Sequence, residues 1–185
     1  MLGLRLATPG DAPFIQRVHE ESIRGVPASV YSRAQLESWA GGLKAERYVW
    51  AMTHDGETFL VADIPNGGGA FAGFCSNYAN RIHGLYIHPV WTGRGLASAM
   101  LQRAEAAIRA AGAERICLSA SLVGRDLYER RGYAVLRRRD WKTRGGLMIE
   151  AYDMEKPAAY SPRATPAVRS RVRHSAPSRR DGGEC

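Results

Sequence analysis

Apolar positions along this chain recur with two periods, and each change of period marks a change of element. Residues 2–7 (LGLRLA) alternate loosely and read as a strand. Thr8-Pro9-Gly10-Asp11 is turn chemistry, and Pro13 suits the first turn of a helix. Phe14, Ile15 and Val18 then share one helical face, with Glu20 and Arg24 four residues apart beside it. Gly25 and Pro27 end that helix. A second helix is predicted from Ser32 to about Lys44, carrying Leu36, Trp39 and Ala40. Tyr48 to Met52 fits either a helical extension or a strand. Residues 58–64 (TFLVADI) and 70–78 read as a hairpin around Pro65-Asn66-Gly67-Gly68-Gly69. After a break at Asn80-Arg81, residues 82–88 (IHGLYIH) follow as a third successive strand.

The helical period returns after Pro89. The turn Thr92-Gly93-Arg94-Gly95 opens the most regular helix, with Leu96, Met100, Leu101, Ala104 and Ile108 on its apolar face. Ser98, Gln102, Glu105 and Arg109 are expected on the opposite, solvated face, and Gly112 at the C-terminal cap. Residues 115–120 (RICLSA) read as a strand, 123–131 as a short helix, 133–136 as a strand and 147–155 as a closing strand. No internal repeat is visible. Strands mixed with helices in this way predict an α/β domain.

Composition changes this picture at one place. A chain of 185 residues with 45% apolar and 24% charged positions is long and apolar enough to bury one ordinary core. No apolar run approaches the roughly 18–20 residues of a membrane span. The start, MLGLRLATPGDAP, lacks the basic and apolar regions of a secretory signal. A cytoplasmic location without a membrane partner is therefore expected. Cys75, Cys117 and Cys185 match no metal-ligand spacing, so no metal is expected, and the first two read as buried structural thiols.

The net charge of +8 is the unusual number, and its position matters. Residues 157–185 hold Pro157, Pro162, Pro166 and Pro177 and no Leu, Ile, Phe or Trp. Their six arginines face only Asp181 and Glu184, so half of the net charge lies there. Such a segment buries too little to offset its ordering entropy and is expected to be a disordered tail on a domain of residues 1–156. Arg169, Arg171, Arg173, Arg179 and Arg180 offer a nucleic-acid contact as an alternative function. Tyr160 is the sole aromatic among them, so nucleic acid is not the expected partner. A second basic concentration comprises Arg125, Arg130, Arg131, Arg137, Arg138, Arg139, Lys142 and Arg144.

The candidate chemistry lies in residues 82–111. A glycine turn leading into a helix presents several N–H groups at the positive end of the helix dipole, which suits a diphosphate. The sequence Gly95-Leu96-Ala97 lacks the lysine of a P-loop. Gly93-x-Gly95-x-x-Ser98 is near a dinucleotide fingerprint, but the next strand ends in Ser119-Ala120-Ser121, without the acidic ribose ligand.

These segments resemble the GCN5-related N-acetyltransferase (GNAT) family across nearly the whole domain. Ile87-His88-Pro89 followed by Thr92-Gly93-Arg94-Gly95-Leu96-Ala97 resembles the family's Val-x-Pro strand end and its Gln/Arg-x-x-Gly-x-Gly/Ala turn. Ser121-x-x-Gly124-x-x-Leu127-Tyr128-Glu129-x-x-Gly132-Tyr133 resembles Asn-x-x-Ala-x-x-Phe-Tyr-Glu-x-x-Gly-Phe. Tyr152-Asp153-Met154-Glu155-Lys156 is similar to the closing Tyr-x-Met-x-Lys. Thr92 and Ser121 depart from the family's usual residues.

The resemblance implies a mixed, mostly antiparallel sheet flanked by helices. It implies acetyl-CoA as co-substrate, with its pyrophosphate on Gly93, Arg94, Gly95, Leu96 and Ala97. The pantetheine arm would lie between Leu85, Tyr86 and Ile87 on one strand and Ser121 beyond the other. The implied activity is direct transfer of acetyl to a primary amine of a small molecule or protein, and homodimers are common in the family. Tyr128 is the implied proton donor to the leaving sulfur. His83 is the candidate base, on the face shared by Leu85 and Ile87 if the strand alternates strictly. His19 and Glu21 are further acceptor-side candidates, His88 reads as a turn residue, and Trp39 and Tyr31 suit either an acceptor pocket or the core. Arg125, Arg130 and Arg131 would attract the nucleotide phosphates. A non-catalytic acyl-CoA-binding domain is the alternative that keeps the cradle without the chemistry.

Overall fold

The computed structural model describes residues 2–65 and 67–158. The expected tail and its arginines lie outside the described residues from 159 onward. Seven strands form one sheet: β1 (Gly3–Leu6), β2 (Thr58–Asp63), β3 (Phe71–Tyr78), β4 (Arg81–Ile87), β5 (Arg115–Ser121), β6 (Ala134–Lys142) and β7 (Met148–Pro157). Their spatial order is β1-β2-β3-β4-β5-β7-β6. Every neighbouring pair is antiparallel except β4 and β5. Five helices accompany them: α1 (Ala12–Arg24), α2 (Arg33–Ala40), α3 (Ala45–Thr53), α4 (Leu96–Ala110) and α5 (Arg125–Arg130).

The sheet separates two cores. On one face, Ile15 and Val18 of α1, Leu36 and Trp39 of α2, and Tyr48 of α3 pack on Phe59, Val61, Phe71 and Phe74. On the other, Met100, Leu101 and Ile108 of α4 pack on Leu60, Ala62, Cys75, Ile116 and Met154. With both faces covered, β2 reads as a continuous apolar run rather than an alternating one. The helix α2 begins at a capping box: Ser32 Oγ accepts from the Gln35 amide at 3.2 Å, and Gln35 Oε1 accepts from the Ser32 amide at 2.9 Å. The ambiguous stretch from Tyr48 to Met52 is helical, and its buried positions Tyr48 and Ala51 are three residues apart.

Three expectations need correction. The sixth strand runs to Lys142 rather than 136, because its charged half finds partners across the register: Arg137 and Arg139 meet Asp153, and Arg138 meets Glu150. Glu105 is 1% exposed rather than solvated. It falls within the stripe of Leu101, Ala104 and Ile108, and meets Lys156 Nζ at 2.5 Å, Tyr133 Oη at 3.1 Å and Arg109 at 3.1 Å. The closing strand continues through Pro157, which pairs with Arg115, and Ala158 is buried.

Candidate active site

The parallel junction of β4 and β5 is short. Only Arg81 with Cys117 and Ile82 with Leu118 are in register, so β4 leaves its neighbour from His83 onward. The gap is a cavity of about 480 Å³. Leu85, Tyr86 and Ile87 line it from β4, Ser119 and Ser121 from β5, and Gly124 and Tyr128 from the following turn and α5. Pro89 and Thr92 close the end nearest α4.

Beyond Thr92 the backbone turns through two left-handed glycines, Gly93 at φ 73° and Gly95 at φ 76°. An L residue at either position would cost roughly 1–2 kcal/mol. A Cβ built on either glycine would meet no atom within 4 Å, so this side of the turn is open. Among the described residues, no backbone carbonyl accepts from the amides of Gly93, Arg94 or Gly95. Leu96 is anchored in the α4 core, which fixes the turn, and the Arg94 guanidinium lies 4.9 Å over the Trp91 ring. This is an open turn at the head of a 15-residue helix, where exposed N–H groups and the helix dipole favour an anion. Gly93, Arg94, Gly95, Leu96 and Ala97 stand at its entrance rather than in the lining of the gap.

Tyr128 is buried, edge-on to Tyr133 with ring centroids 5.6 Å apart. Burial pushes its phenol well above the ordinary tyrosine value, so it keeps its proton at neutral pH. Gly124 gives it room: a Cβ there would come within 3.2 Å of the Tyr128 ring. Cys75 is wholly buried and its thiol is pushed up to about 12, so it is not a nucleophilic thiolate near neutral pH.

His83 departs from the expected alternation. The β3–β4 register jumps from Ser76–Gly84 to Asn77–Ile82, which leaves His83 as the extra residue of a bulge. Ile82, Leu85 and Ile87 therefore pack with the α4 core, while Tyr86 packs with the α1–α3 core. His83 does not share the face of Leu85 and Ile87. It opens on a second cavity with Tyr86 and also borders the β4–β5 gap. Its Nδ1 lies 3.4 Å from Glu57 Oε1. Glu57 was not legible as a partner, because 26 positions separate it from His83 and the β2-β3-β4 meander brings the two together.

The remaining candidates divide. His19 lines the second cavity, and its Nδ1 lies 2.8 Å from Tyr48 Oη. Its Nε2 is buried without a partner. Burial, then the Arg144 charge, pulls its pKa down to about 3, so it is a neutral imidazole and not a base near pH 7. Glu21 pairs with Arg17 at 3.0 Å and with His88 Nε2 at 3.1 Å, and lines neither cavity. His88 is a turn residue whose Nδ1 accepts from the Val90 amide. Trp39 lines both cavities. Tyr31 does not: its hydroxyl accepts from the Leu122 amide at 2.8 Å and donates to the Glu150 carbonyl at 2.7 Å, a core role. The basic cluster of the sequence is not one patch. Arg125 pairs with Glu129, Arg137 to Arg139 lie on the β6 edge, and Arg144 sits at the β6–β7 turn.

Among the described residues, no group of three or more His, Cys, Asp or Glu side chains is arranged to hold a metal ion, and no helix is long and apolar enough to cross a membrane. No curated protein matches the chain. Solved structures do. A GCN5-related N-acetyltransferase from Rhodopseudomonas palustris is 27% identical, with a TM-score of 0.76 over 85% of this chain and 96% of its own. The PaiA N-acetyltransferase from Thermoplasma acidophilum, solved with coenzyme A, is 22% identical at a TM-score of 0.67, over 85% and 99%. A phosphinothricin acetyltransferase from Sinorhizobium meliloti, solved with acetyl-CoA, is 18% identical at 0.64, over 90% and 95%. The last two carry the likeness of fold alone. Residues 19–156 match the family model described as an acetyltransferase (GNAT) domain, and the chain belongs to that family.

Proposed function

We propose that the protein is an N-acetyltransferase that moves acetyl directly from acetyl-CoA to a primary amine of a small molecule or protein. The observation that carries this reading is the β4–β5 gap, bordered by His83 and Tyr128 and leading to the open glycine turn. The amides of Gly93 to Ala97 hold the pyrophosphate, and Leu85, Tyr86, Ile87 and Ser121 flank the pantetheine arm. The amine nitrogen attacks the thioester carbonyl carbon; the C–N bond forms, the C–S bond breaks and sulfur leaves with the electron pair.

An alkylamine with an ordinary pKa near 10.4 is mostly protonated at pH 7, so attack needs a base. His83, oriented through Nδ1 by Glu57, takes the amine proton on Nε2. Tyr128 donates a hydrogen bond to the departing sulfur. Its raised pKa makes complete proton transfer to a thiolate uphill, so stabilisation of the developing charge is its main contribution.

Tyr128→Phe tests the assignment, because it keeps the packing on Tyr133 and removes only the hydroxyl. Turnover followed by release of the CoA thiol is expected to fall about 100-fold with acetyl-CoA affinity retained. Unchanged turnover would remove Tyr128 from the mechanism.

A further inference from the structure

The second cavity lies against the α1–α3 face and meets the β4–β5 gap at His83, Tyr86 and Trp39. It holds about 250 Å³, just below the roughly 300–1,000 Å³ of common ligand pockets, which limits it to a small occupant. Its walls include the aromatic side chains of Trp39, Tyr48, Phe74, Tyr86 and Trp141. The His83–Glu57 pair is part of the same lining, as are three cations: Lys44, Arg47 and Arg144.

Among the described residues, more than half of the other lysines and arginines form ion pairs. Arg5, Arg24, Arg109, Arg125 and Arg137 each meet a carboxylate within the protein. Among the described residues, Lys44, Arg47 and Arg144 form no ion pair. Asp55 and Glu57 are the carboxylates in the lining; Asp55 pairs with none of the cations, and Glu57 faces His83. Arg144 is held in place by its Nη1, which donates to the Trp39 carbonyl at 3.2 Å. Its charge is felt inside, where it favours the ionised phenols of Tyr48 and Tyr86 and the neutral form of His19. A second, independent feature is His19, 7% exposed, whose Nε2 has no partner within the protein. Its other ring nitrogen, Nδ1, lies 2.8 Å from Tyr48 Oη, and either atom can donate. By contrast, Arg81 and Arg139, which line a neighbouring cavity, are already engaged with Asp153 and Ser119.

We propose that the acceptor is a small primary amine carrying an anionic oxyacid group, a carboxylate or phosphonate, separated from the nitrogen by an apolar spacer. The amine points to His83, the spacer lies among the aromatic walls, and the anion lies against Lys44, Arg47 and Arg144. This rests on the N-acetyltransferase reading and narrows it to one class of substrate. An amine with an anionic end gives these cations the partner the protein does not supply, whereas a second cation would be repelled there.

The test uses the full chain with acetyl-CoA and follows CoA release. 5-Aminopentanoate and 6-aminohexanoate, which carry an apolar spacer between amine and carboxylate, are compared with their decarboxylated amines, 2-aminoethylphosphonate with ethylamine, and an N-terminal peptide serves as a macromolecular acceptor. The expected result is a kcat/KM at least about tenfold higher for the anionic member of a pair. The carboxylate and phosphonate arms identify which oxyacid is preferred. Arg144→Gln is expected to shrink that ratio about tenfold, and Arg144→Lys to restore part of it because it returns the charge without the fork.

Equal or better turnover of neutral amines or the peptide overturns the proposal and leaves an acetyltransferase standing. An unchanged ratio in Arg144→Gln also overturns it. Turnover of no acceptor overturns both readings.

Discussion

His19 is a titratable group enclosed by rings, with Tyr86 at a centroid distance of 3.8 Å and Phe74 at 5.4 Å. A charged imidazole there would lose its hydration without gaining a carboxylate, and this explains a folded pKa near 3 against an ordinary 6.5. The unfolded chain binds a proton at His19 below pH 6.5 while the folded protein does not. Stability is therefore fully present above 6.5 and is lost as pH falls from 6.5 toward 3. The slope is about 1.4 kcal/mol per pH unit, or about 2 kcal/mol by pH 5. Urea unfolding at pH 7, 6 and 5 checks this: His19→Gln should show a flatter pH dependence than the parent chain, and equal slopes would refute it. At this scale the sequence spoke unevenly. Tyr128 was legible because a motif of fixed spacing surrounds it, whereas the direction of His83 was missed because a one-residue bulge, marked in the sequence by Gly84 inside the strand run, reverses strand parity.

Single elements matter here mainly through what they hold in place. The β6–β7 turn docks on the end of α2: Gly145 N–H donates to the Ser38 carbonyl at 2.9 Å, Leu147 N–H donates to Ser38 Oγ at 3.2 Å, and Thr143 Oγ1 lies 2.5 Å from the same hydroxyl. This contact brings Arg144 to the second cavity. It also requires glycine, since a Cβ at Gly145 would lie 2.5 Å from Ser38 Oγ and 2.8 Å from its Cα. Gly145→Ala should lower the melting temperature by roughly 3–10 °C, from an overpacking cost of about 1–3 kcal/mol. It should also raise KM for the amine with acetyl-CoA affinity held, because the glycine turn before α4 is remote from it. Calorimetry with parallel acetyl-CoA and amine titrations separates the two effects; a rise in the acetyl-CoA dissociation constant alone would contradict it. Neither this docking nor the charged half of β6 could be read from periodicity. Arg137-Arg138-Arg139-Asp140 has no apolar alternation, and its strand identity comes from β7, which carries Asp153 and Glu150 at matching positions.

At the scale of the molecule, the sheet of the described residues is two segments that meet at two register positions. The strands β1–β4 with α1, α2 and α4 were legible from turns and apolar periods, whereas Tyr48 to Met52 in α3 fitted helix or strand equally. The motif resemblance implied a mixed sheet with a splayed strand, and the parallel pairing of β4 with β5 came from the structure. The α4 core, which spans Leu60, Ala62 and Cys75 on one side and Ile116 and Met154 on the other, joins the segments, and polar contacts add to it. Tyr31 links α2's approach to Leu122 and Glu150, Ser38 receives the β6–β7 turn, and buried Glu105 ties α4 to Lys156 and Tyr133. The Glu105 link carries a constraint of its own, because removing one member of a buried pair leaves the other charge uncompensated. A ligand seated in the β4–β5 gap would touch both segments, through Leu85 to Ile87 on one side and Ser121 with Tyr128 on the other, and would oppose their separation. Acetyl-CoA or CoA at 100 times its dissociation constant should therefore stabilise the fold by about 2.7 kcal/mol. For a domain of this size that corresponds to a rise of roughly 5–10 °C in melting temperature. NAD should give no comparable rise, because the strand after the glycine turn ends in Ser119-Ala120-Ser121 without an acidic ribose ligand. A thermal-shift series with CoA, acetyl-CoA and NAD decides the matter: a rise with NAD alone, or none with either thioester-pathway ligand, would sink the assignment of the gap as the acyl-CoA site.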